Sequence, residues 1–200
     1  KHAKAKAIFF VAGSRVNSTE GLTLVKQWGE QGHQIANHSY SHHFLPATNI
    51  TLEDYLTDIE KNENLLKGFP GWTKRFRYPY LKEGNTRLKR DGVRHWLQVN
   101  GYATGAVSID ASDWYYDQQY RKLLSRGVNS KITLLREAYL AHLWDRATYY
   151  NELSTTVLSR QIDHVLLLHV NAINAAFLGD VVAMFNDKGW SIISPEMAYQ

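Results

Sequence analysis

The 200-residue chain contains no cysteine. That excludes thiolate metal sites and disulfide scaffolding, and it is compatible with export as well as with the cytosol. Long apolar runs are absent too: stretches such as Val165 to Leu168 fall far short of the roughly 20 residues that span a bilayer. No signal-peptide pattern is visible, since the chain opens on Lys1-His2-Ala3-Lys4-Ala5-Lys6 and passes directly into a strand-like run. Internal repeats, low-complexity stretches and linkers are also missing, so a single domain over residues 1–200 is expected. Charge is not concentrated. A net charge of +4 with pI near 9.2 would favour anionic partners, yet Lys and Arg are scattered. Their densest cluster, from Lys74, Arg75 and Arg77 to Lys82, Arg87, Lys89 and Arg90, is broken by aromatics and turns. A solvated face is the reading, and no nucleic-acid partner is expected.

What is present is a core. At 44% hydrophobic the chain is long enough to bury one sizeable α/β interior. Six Trp and twelve Tyr, several grouped around Asp113-Trp114-Tyr115-Tyr116 and Tyr120, offer flat faces for a sugar ring, although most must pack the core.

Short β-type runs alternate with helical ones, which predicts a parallel sheet with crossover helices. Expected strands are Ala7 to Val11, Gly32 to Asn37, Lys74 to Tyr78, Thr104 to Ile109, Val165 to His169 and Trp190 to Ser194. Expected helices are Thr19 to Gln31, one capped by Thr51 with a buried stripe of Leu52, Tyr55, Ile59 and Leu66, then Thr86 to Asn100 and Ala172 to Lys188. A mostly helical insertion fills about residues 118–160, with a break near Gly127 to Ser130.

His38 and His42 stand four residues apart behind the second expected strand. On a helical turn, side chains at i and i+4 share one face, so the two imidazoles could meet on one cation. Taken alone, two of nine histidines read more readily as surface or capping residues than as ligands. Arg77 to Tyr80, Asp113-Trp114 and His169 also follow expected strands, and that C-terminal edge is where parallel α/β folds build their sites.

With those residues in view, the chain resembles the polysaccharide deacetylases, the NodB-homology domain of carbohydrate esterase family 4, over nearly its whole length. Gly32-His33-Gln34-Ile35-Ala36-Asn37-His38-Ser39-Tyr40-Ser41-His42 is similar to the family's metal motif, and Arg77-Tyr78-Pro79-Tyr80 to its Arg-x-Pro-Tyr motif. Asp113-Trp114 and Leu167-Leu168-His169 resemble two further motifs, in family order. The resemblance implies a distorted (β/α) barrel of parallel strands. It implies hydrolysis of N-acetyl (or O-acetyl) groups on an acetylated polysaccharide such as peptidoglycan, chitin or xylan.

By the same resemblance, His38 and His42 would bind a divalent metal, Zn first, with Co, Ni or Mn as alternatives. The Tyr80 N–H would donate to the oxyanion, His169 would act as general acid with Asp113 orienting it, and Arg77 would brace the catalytic base. Trp114 and Leu167 would wall the pocket for the acetyl methyl. A secreted, periplasmic or cell-surface bacterial location follows from such substrates.

One departure stands out. The family's Thr-Phe-Asp-Asp strand, which carries the base and the third metal ligand, has no counterpart, because the chain holds no adjacent Asp-Asp pair. The expectation is a piece of a longer protein, lacking its first strand and helix and inactive by itself. A non-catalytic carbohydrate-binding relative is the alternative. Leu81 is a smaller departure, at a position where the family often has Gly.

Overall fold

A computed structural model describes residues 5–200, and the basic opening Lys1 to Lys4 lies outside the described residues. The chain divides into two compact units, one of residues 6–106 and one of residues 107–200 with Ala5.

The first unit is a four-stranded parallel sheet in the order β1-β2-β3-β4, with a helix in each crossover. In chain order its elements are β1 (Ile8–Val11), α1 (Thr19–Glu30), β2 (Gln34–Asn37), α2 (Leu52–Leu66), β3 (Trp72–Phe76), α3 (Arg87–Val99) and β4 (Ala103–Thr104). Every helix start carries a side-chain cap. Ser18 accepts from the Gly21 N–H, Thr86 accepts from the Lys89 N–H, and Thr51 with Asp54 forms a complete capping box. Gly32 and Gly101, both at positive φ, turn the chain out of α1 and α3.

Tyr55, Ile59 and Leu66 of α2 are fully buried, as the stripe predicted, while Leu52 is only partly so. Each such side chain contributes on the order of 2 kcal/mol by leaving water. Asp58 and Asn62 lie on the same buried face of α2, two polar residues in an otherwise apolar stripe.

The second unit pairs two short parallel strands, β5 (Ile109–Asp110) and β6 (Leu166–Leu167), with Ile109 opposite Leu166. Around them pack α4 (Asp113–Ser125), α5 (Ile132–Leu158) and α6 (Ala172–Asp187), and the short α7 (Pro195–Ala198) follows. Tyr139, Leu143 and Ala147 of α5 are fully buried against Ile109, Ile173 and Phe185.

Several strand expectations change, and the run expected over Val165 to His169 shortens to Leu166–Leu167. The run expected over Thr104 to Ile109 splits into β4 and β5, because the carbonyls of Gly105 and Ala106 turn to the Arg77 guanidinium instead of a neighbouring strand. The strand expected at Lys74 to Tyr78 runs from Trp72 to Phe76, since Tyr78 precedes Pro79 in an extended approach to a tight turn. Residues 190–194 form no strand. The Trp190 N–H closes α6 on the Phe185 carbonyl, and its ring packs on Trp144, Phe185 and His164.

Candidate functional site

The site residues fall into two groups, one in each unit. In the first unit, His38 directly follows β2 and Arg77 directly follows β3, its neighbour in the sheet. In the second, Asp113 lies just beyond β5, and His169 just beyond its partner β6.

His38 and His42 do meet: their ring centroids lie 4.8 Å apart with planes at 75°. The route is not the helical turn expected from the spacing. Residues 38–42 form an irregular loop with Ser39 (φ 58°) and His42 (φ 57°) in the left-handed region. That conformation costs on the order of 1–3 kcal/mol per non-glycine residue and persists only where surroundings over-determine it.

The surroundings do so through buried polar side chains. Asn37 Oδ1 accepts from the Ser39 N–H at 2.9 Å and from Asn62 Nδ2 at 2.8 Å. Asn37 Nδ2 donates to the Ile59 carbonyl and to Tyr102 Oη, both at 3.0 Å, and Tyr102 donates onward to Glu63. Burial pushes the Tyr102 phenol well above its ordinary pKa, so it stays a donor. Asp58 accepts the Ser41 hydroxyl at 2.7 Å and the Ser41 N–H at 2.9 Å, while its own carbonyl accepts the Tyr40 N–H. The Ser39 hydroxyl accepts the His42 N–H.

His38 Nδ1 lies 2.7 Å from the Arg77 carbonyl. A carbonyl only accepts, so Nδ1 must carry the hydrogen, and in the neutral ring the lone pair then sits on Nε2. Carbonyl-anchored imidazole is the usual outer support of a metal-binding histidine. The two rings therefore fit two ligand positions of a divalent ion. Among the described residues, no group of three or more His, Cys, Asp or Glu is arranged to hold a metal.

Arg77 is buried, its guanidinium 3.9 Å over the Phe10 ring and its Nε donating to the Gly105 carbonyl at 2.9 Å. Tyr80 sits in a turn after Pro79, with φ 58° followed by Leu81 at φ 54°. Its exposed ring packs edge-on against His42, with centroids 4.7 Å apart, and against Phe44.

In the second unit, Asp113 is 1% exposed and holds His169 twice. Its Oδ1 lies 2.6 Å from His169 Nδ1, and its Oδ2 accepts the His169 backbone N–H at 2.8 Å. Asn171 and Asn174 donate to the same Oδ2 at 3.0 and 2.6 Å. Burial alone would raise the Asp113 pKa, but the bonds from His169 outweigh it and hold the carboxyl below its ordinary value. Trp114 is 53% exposed at the start of α4, beside Tyr115, and is thus no core residue. Leu167 is half-buried in β6, opposite Asp110.

Asn37, Asp58, Asn62, Asn171 and Asn174 escaped the sequence reading. For Asp58 and Asn62 a signal existed, since both fall at helical spacing within the apolar stripe of α2. Asn37, Asn171 and Asn174 carry none until the pairing of strands is known.

Residues 1–95 match the family model described as polysaccharide deacetylase. A peptidoglycan-N-acetylglucosamine deacetylase of Bacillus cereus is 31% identical over 115 residues, which is 57% of this chain and 38% of that protein. A second one from the same organism is 29% identical over 119 residues, 59% of this chain and 41% of that protein. The matched region thus spans well under half the length of these relatives.

Among solved structures, a mutant of a CE4 family pseudoenzyme superposes with TM-score 0.69 at 15% identity, covering 98% of this chain and 57% of that one. The chitin deacetylase of the fungal pathogen Colletotrichum lindemuthianum gives TM-score 0.66 at 18% identity, covering 98% and 80%. At such identities the likeness is one of fold. The sequence likeness to polysaccharide deacetylases thus lies in residues 1–95, and the likeness of fold to carbohydrate esterase family 4 structures extends over nearly the whole chain.

Proposed function

We propose that the protein hydrolyses N-acetyl groups, or O-acetyl groups, on a cell-wall polysaccharide such as peptidoglycan, chitin or xylan, and that it does so with a divalent metal ion, zinc first. The observation that carries this reading is the His38–His42 pair, with Nδ1 of His38 engaged by a backbone carbonyl. His38 and His42 would hold the ion. When bound, such an ion supplies Lewis acidity, polarising a carbonyl and acidifying water.

The chain's own residues do the rest. Water adds to the acetyl carbonyl carbon, its proton passing to the base that the family's Asp-Asp pair would supply, and the Tyr80 N–H donates to the oxygen that gains charge. As the C–N bond breaks, His169 gives the proton on Nε2 to the departing amine, so that acetate and a free amino sugar result. Asp113 holds the ring by Nδ1, which leaves Nε2 for that transfer. Arg77 braces the elements around the pair, through the Gly105 carbonyl on one side and its own carbonyl on His38. Trp114 and Leu167 wall the space for the acetyl methyl.

The family's Asp-Asp pair is not in these 200 residues, so the chain by itself should bind metal weakly and turn over negligibly. On this reading the working protein acts outside the bacterial cytoplasm, where such polysaccharides lie. Among the described residues, no helix is long and apolar enough to cross a membrane.

The test is acetate release from an N-acetylglucosamine oligomer by the full-length protein, with bound metal measured in parallel. Activity abolished by His169→Ala, and metal lost in His38→Ala and His42→Ala, is the expected result. Full-length protein that takes up no metal would sink the reading. A second reading, a carbohydrate-binding relative without catalysis, is favoured by two observations, the exposure of Trp114 and Tyr115 and a ligand set of only two histidines among the described residues. It predicts saturable binding of the oligomer with no acetate formed.

A further inference from the structure

We propose that Asn174 is a positioning residue for the His169–Asp113 pair, held in one amide orientation by Tyr139, and that it reserves Asp113 Oδ1 for the imidazole. Its consequence for catalysis rests on the reading of His169 as proton donor. The geometry stands apart from that reading.

Asn174 lies in the first turn of α6 and is 6% exposed. Every polar atom of its side chain has a partner. Nδ2 donates to Asp113 Oδ2 at 2.6 Å and to the His169 carbonyl at 2.9 Å, one hydrogen to each member of the pair. Oδ1 accepts from Tyr139 Oη at 2.5 Å. The Asn174 backbone N–H is itself capped by the Asn171 side chain at 3.0 Å.

Tyr139 decides which way the amide faces. Its side chain is fully buried, and burial, then the nearby Asp113 charge, push the phenol well above its ordinary pKa. The hydroxyl therefore keeps its hydrogen and donates it. A flipped amide would set its oxygen against the Asp113 carboxylate and the His169 carbonyl, acceptor against acceptor, and leave the phenol facing N–H groups. Unmade buried hydrogen bonds of this kind cost about 1–3 kcal/mol each.

With the amide fixed, the two oxygens of Asp113 differ in duty. Oδ2 takes the backbone N–H of His169 and the side chains of Asn171 and Asn174. Oδ1 is left facing His169 Nδ1. The carboxylate cannot rotate without breaking three bonds, so the ring hydrogen belongs on Nδ1, and Nε2 becomes the atom that gives and takes a proton. The titratable groups facing the amide are Asp113 from α4, Tyr139 from α5 and His169 after β6. Asp117 on α4 is engaged elsewhere, by the Ile173 N–H and Arg121.

Nitrogen-15 NMR of the histidine rings at alkaline pH tests this directly. A water-exposed neutral imidazole favours the Nε2–H form, and the His169 side chain is 53% exposed. Wild-type protein is nevertheless expected to show His169 as Nδ1–H, with a far-downfield ring proton. Asn174→Ala should move the ring shifts toward Nε2–H, and Tyr139→Phe should move them the same way by less. His164, whose ring lies against Ser108 and Asn151, should not change.

Wild-type His169 in the Nε2–H form, or ring shifts untouched in folded variants, would overturn the proposal. If Asn174→Ala does not fold, Tyr139→Phe decides by the same readout. Absent acetate release from full-length protein whose His169 is Nδ1–H would count against deacetylation while supporting the positioning role.

Discussion

Asp113 grips His169 at two points, the ring Nδ1 and the backbone N–H, so the carboxylate fixes both the imidazole and the chain that carries it. A group bonded only to the ring would leave the segment after β6 to set the ring's position by packing alone.

Asp113→Asn should therefore be costly despite its equal size. An amide oxygen can serve one side only, while the new N–H groups meet donors from His169 or from Asn171 and Asn174. Losing bonds to a buried charge predicts a destabilisation of about 2–3 kcal/mol at neutral pH. Urea unfolding of the two proteins measures it, and a difference below about 0.5 kcal/mol would mean the carboxylate charge has no structural role.

The pH dependence of stability has two limbs with separate causes. Asp113 has a folded pKa below its unfolded value near 3.9, so its contribution is present above that pH and fades as pH falls below it. His164 is held below its ordinary value by burial, although Asp163 partly opposes this. The folded state thus resists charging it, and stability declines as pH drops from about 6.5 toward the folded value. Urea midpoints against pH should show His164→Gln flattening the upper limb and Asp113→Asn the lower one. Parallel curves for all three proteins would contradict both assignments.

How much of this was legible beforehand depends on what kind of force fixes each feature. Alternating apolar runs revealed the parallel α/β arrangement, and capping chemistry gave α2 and α3 to within a residue or two, because both signals are local. The His38–His42 approach was anticipated for an incorrect reason. Spacing suggested a helical turn, whereas the loop is shaped by Asn37 and by Asp58, the latter a helix away in sequence. Asp113 and His169 lie far apart in the chain, and their bond exists only because β5 and β6 pair. Resemblance to the family supplied what local pattern could not. The strand expected at residues 190–194 but not formed shows the converse, a β-like run that tertiary packing recruits as a cover for α6.

Asp58→Ala should loosen the loop that carries His42 by removing the acceptor for the Ser41 N–H and hydroxyl. Two unmet donors beside a buried cavity predict a loss of about 1–3 kcal/mol in stability. Divalent-metal affinity should fall by about 10- to 100-fold, as it does when outer-shell supports are removed. Calorimetric nickel or zinc titration of the full-length protein, alongside thermal unfolding, separates the two effects. Affinity that survives the substitution would show that the loop holds its shape through Asn37 and Ser39 alone.

Leu81 presents the opposite case, a residue whose side chain opposes its backbone. It follows Tyr80 in a turn where both have positive φ, and at φ 54° an L side chain crowds its own carbonyl by about 1–2 kcal/mol. The side chain is 39% exposed, so it recovers only part of a leucine's burial energy. Leu81→Gly should relieve the strain and, after the added freedom of the unfolded chain is subtracted, stabilise the protein by about 0.5–1 kcal/mol. Leu81→Val, β-branched at the same φ, should destabilise it. Denaturant midpoints ordered Gly above Leu above Val are expected. The reverse order would show that packing of Leu81, not backbone conformation, governs the turn that presents the Tyr80 N–H.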